Sequence, residues 1–127
     1  MFAIITGANS GMGKAATAAL ADRGYEVIML CRNEKRGREA YEFLKQERPE
    51  RNIELMLCDL GNLRSIRSFV LAFKNGHHTI DVLINNAGFI SLDRQLMDDG
   101  FERQFGINHL GHFALTEQLI PFMKSVR

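Results

Sequence analysis

An apolar run, Phe2-Ala3-Ile4-Ile5, leads directly into Thr6-Gly7-Ala8-Asn9-Ser10-Gly11-Met12-Gly13, and an alanine-rich stretch from Lys14 to Arg23 follows. This succession of strand, glycine turn and helix start limits the fold more than any other feature of the chain. Glycines let the backbone come close to phosphates, and the unpaired N–H groups and positive dipole end of a helix N-terminus favour an anion. The turn therefore reads as a seat for a nucleotide pyrophosphate. The competing reading is a tight turn with no ligand. An ATP-binding phosphate loop needs G-x-x-x-x-G-K-[ST]; the nearest frame has Ala8 for its first glycine and Ala15 for its metal-binding hydroxyl, so both functional positions fail.

The rest of the chain repeats the alternation. Apolar runs at Phe2–Thr6, Glu26–Cys31, Ile53–Cys58 and Ile80–Asn85 predict strands, mostly of the continuous kind covered on both faces of a parallel sheet. Helices are predicted over Gly11–Arg23, Glu34–Arg48 and Leu63–Lys74, the first stopped by Gly24 and the second by Pro49. Ile66, Phe69, Val70 and Phe73 give the third helix one apolar face. Strands alternating with helices imply an α/β fold with right-handed crossovers in a doubly wound parallel sheet, as a single domain over residues 1–127.

From about Asp98 to Lys124 the spacing predicts one long helix. Its stripe is Phe101, Phe105, Asn108, His112, Leu115, Leu119 and Phe122, apolar except for Asn108 and His112. Polar groups in a core-facing stripe need a partner or a function.

With 127 residues, 46% hydrophobic and 24% charged, the chain can bury a core, and its net charge of +1 gives no electrostatic case for nucleic acid or an acidic membrane surface. No apolar run approaches a membrane span, and no signal-peptide pattern opens the chain. Cys31 and Cys58 read as reduced, buried thiols, in keeping with a cytoplasmic setting. No metal is assigned.

The end of the second strand bears on the choice of dinucleotide. A carboxylate there would bind the adenosine ribose hydroxyls and repel a 2′-phosphate, but the chain reads Met29-Leu30-Cys31-Arg32-Asn33. Arg32 would pair with a 2′-phosphate, favouring NADP over NAD; the alternative is a solvated loop arginine among Lys35, Arg36 and Arg38. Asp59 and Leu60 follow the third strand and Asn85-Asn86-Ala87-Gly88 the fourth, at the carboxyl edge where such sheets bind ligands. Asp59 would accept from the adenine amino group or else shape the turn before the third helix. Gly88 permits close approach to a ligand, and Asn86 would tie its loop to the neighbouring strand.

In these motifs the chain resembles the N-terminal half of the short-chain dehydrogenases/reductases, specifically the retinol-dehydrogenase-like kind. Thr6 to Gly13 is similar to the family's T-G-x-x-x-G-x-G, with Met12 where isoleucine is commoner. Cys31-Arg32, Asp59-Leu60, Asn85-Asn86-Ala87-Gly88 and Asn108-His109-Leu110-Gly111-His112-Phe113 also match, in order and spacing. The resemblance implies a Rossmann-type sheet ending after its fourth strand and following helix. It implies that Gly7, Ser10, Gly11 and Met12 surround the pyrophosphate, while Gly13 packs helix on strand. Arg32 would face the 2′-phosphate, Asp59 and Leu60 would flank adenine, and Asn86, Ala87 and Gly88 would line the ribose beside nicotinamide. Asn108 would be the asparagine of the family's Asn-Ser-Tyr-Lys tetrad, holding an ordered water in a proton relay.

The implied activity is hydride transfer between NADP(H) and a small lipophilic alcohol or carbonyl. The chain stops at Arg127, before the place where the family carries its serine and Tyr-x-x-x-Lys. Tyr41-Glu42-Phe43-Leu44-Lys45 spells that last pattern, but it falls on the second helix, far from the expected nicotinamide position, and reads as packing. Residues 1–127 alone are thus expected to keep the cofactor surface and to lack turnover. The fourth strand's free edge and the last helix are expected to promote self-association. The alternatives are a noncatalytic nucleotide-binding or interaction module and a nonfunctional truncated product.

Overall fold

A computed structural model of the chain describes residues 1–76 and 79–124. Strands β1 (Phe2–Thr6), β2 (Glu26–Cys31), β3 (Ile53–Leu57) and β4 (Val82–Ile84) form one sheet in the order β3-β2-β1-β4. Every pairing is parallel, with Ile4 opposite Ile28 on one side and Leu83 on the other. Helices α1 (Gly11–Asp22), α2 (Glu34–Glu47) and α3 (Leu63–Gly76) are the crossovers.

The two-residue period of the strands divides the core between the two faces of the sheet. Ala3, Ile5, Val27, Met29 and Cys31 meet Ala21 of α1 and Ala40 and Leu44 of α2. Ile4, Ile28 and Leu30 meet Ile66, Phe69 and Phe73 of α3, together with Leu115 and Leu119 from the last helical segment. This is a doubly wound Rossmann-type sheet, and β1 and β2 are buried on both faces as their composition predicts. Strands β3 and β4, at the two ends of the order, are only partly covered; Glu54 and Leu57 are exposed.

The last helical segment departs from the expected single helix over 98–124. It starts at α4 (Arg103–Phe105), passes through a π-helical turn over Gly106–Gly111, continues as α5 (His112–Leu119) and closes with a 3-10 turn over Ile120–Phe122. Its start is late because Gly100, at φ 86°, closes a turn back to Met97, and Glu102 then caps the helix by accepting from the Gln104 and Phe105 amides. The predicted stripe is likewise broken. Leu115 and Leu119 are fully buried, whereas Phe101 and Phe105 are 47% and 53% exposed. Phe101 precedes the helix, and a π turn carries an extra residue, so a 3.6-residue period projected across it loses phase.

After the 3-10 turn the chain becomes extended. Ile80 donates its N–H to Phe122 O at 2.8 Å and accepts from Lys124 N–H at 3.0 Å, giving a parallel bridge between Ile80 and Met123. The outer edge, expected to be unpaired, therefore has a partner at Ile80, two residues before β4 begins. Asp81 secures the same corner: it accepts from Phe2 N–H at 2.6 Å and pairs with Lys124 Nζ at 2.7 Å. The predicted stop at Arg127 lies outside the described residues.

Candidate functional site

A cleft of about 660 Å³ opens above the carboxyl ends of β1, β2, β3 and β4. It sits where the strand order reverses, between β1 and β4, the usual ligand position in open α/β sheets. Its walls include Gly7 and Ser10 from the first turn, Arg32 after β2, Asp59 and Leu60 after β3, and Asn86, Ala87 and Gly88 after β4. The residues that sequence reasoning drew from four separate motifs thus share one rim.

Gly11, Met12 and Gly13 stand at the start of α1 rather than in the wall. Gly11 has φ +53° and open space where a Cβ would be, so backbone is presented there without obstruction. Ser10, the N-cap residue, makes no side-chain capping hydrogen bond, leaving the first-turn amides to another acceptor. Met12 is 82% exposed. Gly13 is buried against the Gly7 carbonyl and Asn86 Nδ2, both of which a Cβ would strike, so its place in helix–strand packing is explained.

The loop after β4 is fastened to the first turn. Asn86 Nδ2 donates to Thr6 O at 3.1 Å and Gly7 O at 3.2 Å, the tie expected from its side chain. Gly7 itself, at φ +62°, lies so close to the loop that a Cβ would come within 2.7 Å of Ala87 Cα. Gly88 has open space at its Cβ position.

Arg32 is exposed, with Nε 3.8 Å from Asp59 Oδ2. The other Asp59 oxygen accepts from Gly61 N–H at 2.8 Å, so this carboxylate does shape the turn before α3. The capping role belongs instead to Asn62, which accepts from the amides of Arg64 and Ser65. Cys58 lines the cleft, and burial pushes its thiol up to about 11; burial does the same to Cys31. Both thiols are free and buried.

Asn108 lies within the π turn. Its Oδ1 accepts from Phe89 N–H at 2.8 Å and its Nδ2 donates to Phe89 O at 2.7 Å, so the whole carboxamide clamps the loop leaving β4. Two glycines bring this turn close: a Cβ at Gly106 would strike Met97, and one at Gly111 would strike the Leu60 carbonyl. Tyr41 is partly buried in the α1–α2 layer and Lys45 Nζ donates to the Pro49 and Arg51 carbonyls, both away from the cleft.

Sequence reasoning missed several wall residues: Thr6, Asn9, Asn33, Arg36, Phe89 and Ile107. Arg36 was legible as a second arginine four positions after Arg32, in the first turn of α2. Phe89 and Ile107 carry no polar signature and are placed only by tertiary packing.

The comparisons agree with this geometry. The family model described as short chain dehydrogenase matches residues 1–127. A chloroplastic short-chain dehydrogenase, TIC 32 B of Brassica napus, is 42% identical over 123 residues, 97% of this chain and 38% of that protein. Human retinol dehydrogenase 14 is 44% identical over 135 residues, 96% of this chain and 40% of that protein. Among solved structures, an uncharacterised Mycobacterium paratuberculosis protein superposes with a TM-score of 0.84 at 42% identity, over 97% of this chain and 42% of the other. A short-chain dehydrogenase of Shigella flexneri complexed with NADP does so with a TM-score of 0.78 at 26% identity, over 95% of this chain and 52% of the other. The chain thus spans about two-fifths of the length of those curated relatives. On its family match and its fold, the chain belongs to the short-chain dehydrogenase family.

Proposed function

We propose that residues 1–127 form the dinucleotide-binding part of an NADP-preferring oxidoreductase. In this reading Gly7, Ser10, Gly11 and Met12 surround the pyrophosphate, Asp59 and Leu60 flank adenine, and Asn86, Ala87 and Gly88 line the nicotinamide ribose. The observation that carries the NADP preference is the cluster of Arg32 and Arg36 on the cleft wall, at a strand end that offers no carboxylate of its own. Guanidinium groups there suit a 2′-phosphate and do nothing specific for a ribose hydroxyl pair. Titration calorimetry with NADP⁺ and NAD⁺ tests it: tighter binding of NADP⁺ is expected, and equal affinities would refute the preference.

The nicotinamide would supply hydride chemistry, with a small lipophilic alcohol or carbonyl as the other reactant. Reduction of a carbonyl also needs a positioned proton donor. The one Tyr-x-x-x-Lys, Tyr41 to Lys45, lies off the cleft. Residues 1–127 by themselves are accordingly expected to bind nucleotide without turnover, and clear NADPH-dependent carbonyl reduction by this chain would overturn that expectation. Asn108 is proposed as the tetrad asparagine that holds a water of the proton relay, with its carboxamide bound to the Phe89 backbone.

A second reading, a noncatalytic binding or interaction module, draws on the apolar side chains left at the surface of the last helical segment. Phe105, Phe113 and Ile120 are each more than half exposed. Self-association through this face is expected, and light scattering that gave a monomer at all concentrations would count against it.

A further inference from the structure

Thr6, a residue of the cleft wall, meets His112 behind it; the two are 1% and 7% exposed, with Thr6 Oγ1 and His112 Nε2 separated by 2.8 Å. A threonine hydroxyl has one proton and two lone pairs. The Asn86 and Ala87 amides, both at 2.9 Å, can only donate, and both are aimed at the lone pairs of Thr6, the Asn86 N–H being shared with Ile84 O at 3.1 Å. The proton that remains has two acceptors in reach: Ile84 O at 3.5 Å, at the limit of a hydrogen bond, and His112 Nε2. Nε2 must therefore accept. The other ring nitrogen gives the same answer independently. His112 Nδ1 lies 3.2 Å from Asn108 O, and a carbonyl can only accept, so Nδ1 carries the hydrogen.

We propose that His112 is a positioning residue of the cleft: a neutral imidazole, protonated on Nδ1, that takes the Thr6 hydroxyl proton and holds both Thr6 lone pairs on the Asn86 and Ala87 amides. Three elements are joined through it, namely the end of β1, the loop after β4, and the junction of the π turn with α5. Asn86 and Ala87 belong to the cleft wall, so the orientation of one buried hydroxyl sets the shape of that wall. A cationic His112 would direct a third N–H at an oxygen with two lone pairs, so that the Asn86 amide would be left to Ile84 O or the Ala87 amide displaced, and the loop's tie to β1 would loosen. Burial also favours the uncharged ring, holding its pKa below the ordinary histidine range.

The effect on nucleotide affinity rests on the proposed cofactor reading; the tautomer does not, and the two are measured separately. Imidazole ¹⁵N shifts of the 127-residue chain, with the His112 signals assigned by their loss in His112→Gln, report which nitrogen bears hydrogen. Hydrogen on Nδ1 is expected, and hydrogen on Nε2 would overturn the proposal whether or not nucleotide binds. Glutamine can place an acceptor near the Nε2 position, whereas phenylalanine fills the same space with none. His112→Gln is expected to bind NADP⁺ within about twofold of the parent and His112→Phe about tenfold more weakly, as for a lost buried hydrogen bond. Thr6→Val combined with His112→Phe is expected to be no weaker than the poorer single variant, since the two act through one interaction. Parent-like affinity in His112→Phe, equal losses in the Gln and Phe variants, or additive losses would each overturn it. Should His112→Phe fail to fold, the tautomer and the His112→Gln affinity decide.

Discussion

Arg32 Nε lies 3.8 Å from Asp59 Oδ2, so the cation best placed to meet a 2′-phosphate already has an anion beside it at the cleft wall. Both side chains are well exposed, and such pairs contribute only about 0.2–1 kcal/mol. A phosphate offers more, because charge-assisted hydrogen bonds are worth about 1.5–3 kcal/mol. Arg32 is expected to leave Asp59 for the nucleotide. Arg32→Ala should weaken NADP⁺ binding by about tenfold or more and NAD⁺ binding by less than about twofold. Calorimetry on both nucleotides checks this, and a matching loss for the two would assign Arg32 to general electrostatics.

Asp59→Asn should raise NADP⁺ affinity by no more than about fivefold, the upper worth of an exposed ion pair. The asparagine oxygen can still accept from Gly61 N–H, so the turn before α3 is kept. In 0.5 M salt, where the Debye length falls to about 4 Å and exposed charges are strongly screened, the same variant should show a smaller gain. A fall in affinity would instead make the Asp59 charge itself part of nucleotide recognition.

Gly13→Ala tests the packing that brings α1 against the first turn. Its methyl would meet the Gly7 carbonyl, which is backbone, and Asn86 Nδ2, a side-chain end held by its bonds to Thr6 O and Gly7 O. Overpacking of this kind costs about 1–3 kcal/mol. Urea unfolding should show that loss, with NADP⁺ binding reduced as well because Asn86 is displaced.

Carboxylates held by hydrogen bonds give the chain an acid-sensitive margin, Glu102 among them through the Phe105 and Gln104 amides. A hydrogen bond from Arg51 holds Asp22 below its ordinary value of 3.8, and one from Lys124 does the same for Asp81. Groups with a depressed folded pKa stabilise above their unfolded value, and that contribution is lost as pH falls through the folded one. Urea midpoints should therefore be level near pH 6 and fall below about pH 4, and Asp22→Asn should flatten part of the fall. An unchanged slope in that variant would remove Asp22 from the account.

The thiols supply a kinetic prediction. With Cys31 and Cys58 pushed up to about 11, little thiolate exists at pH 8. Reaction with a disulfide reagent should be slow in the native state and complete for both cysteines in denaturant. Rapid native labelling would mean that the strand ends open far more often than their burial implies.

The parallel sheet was legible because its signals are local: apolar runs of strand length, helix-period faces, and stops at Gly24 and Pro49. The same holds for the rim. Gly7, Arg32, Asp59 and Asn86 follow strand ends, and a parallel sheet brings successive strand ends to one edge. What the sequence left obscure depends on contacts between distant segments. Nothing local distinguishes Thr6 from any other strand-end threonine, yet its hydroxyl meets residues 80 and more positions away. The stripe through Phe101 and Phe105 failed because Gly100 and the π turn interrupt the period that was projected across them. His112 stood out as polar within an apolar stripe, but its partner could be found only in three dimensions.

The two grips of Asp81 on Phe2 and Lys124 give the described chain the character of a ring fastened by one residue. A gene rearranged to join the region of residue 124 to residue 2 through a short glycine bridge would leave each strand beside its present neighbours. Such a permuted polypeptide should recover the same sheet, and in the unjoined chain dyes placed at residues 2 and 124 should sit near one another and part on unfolding.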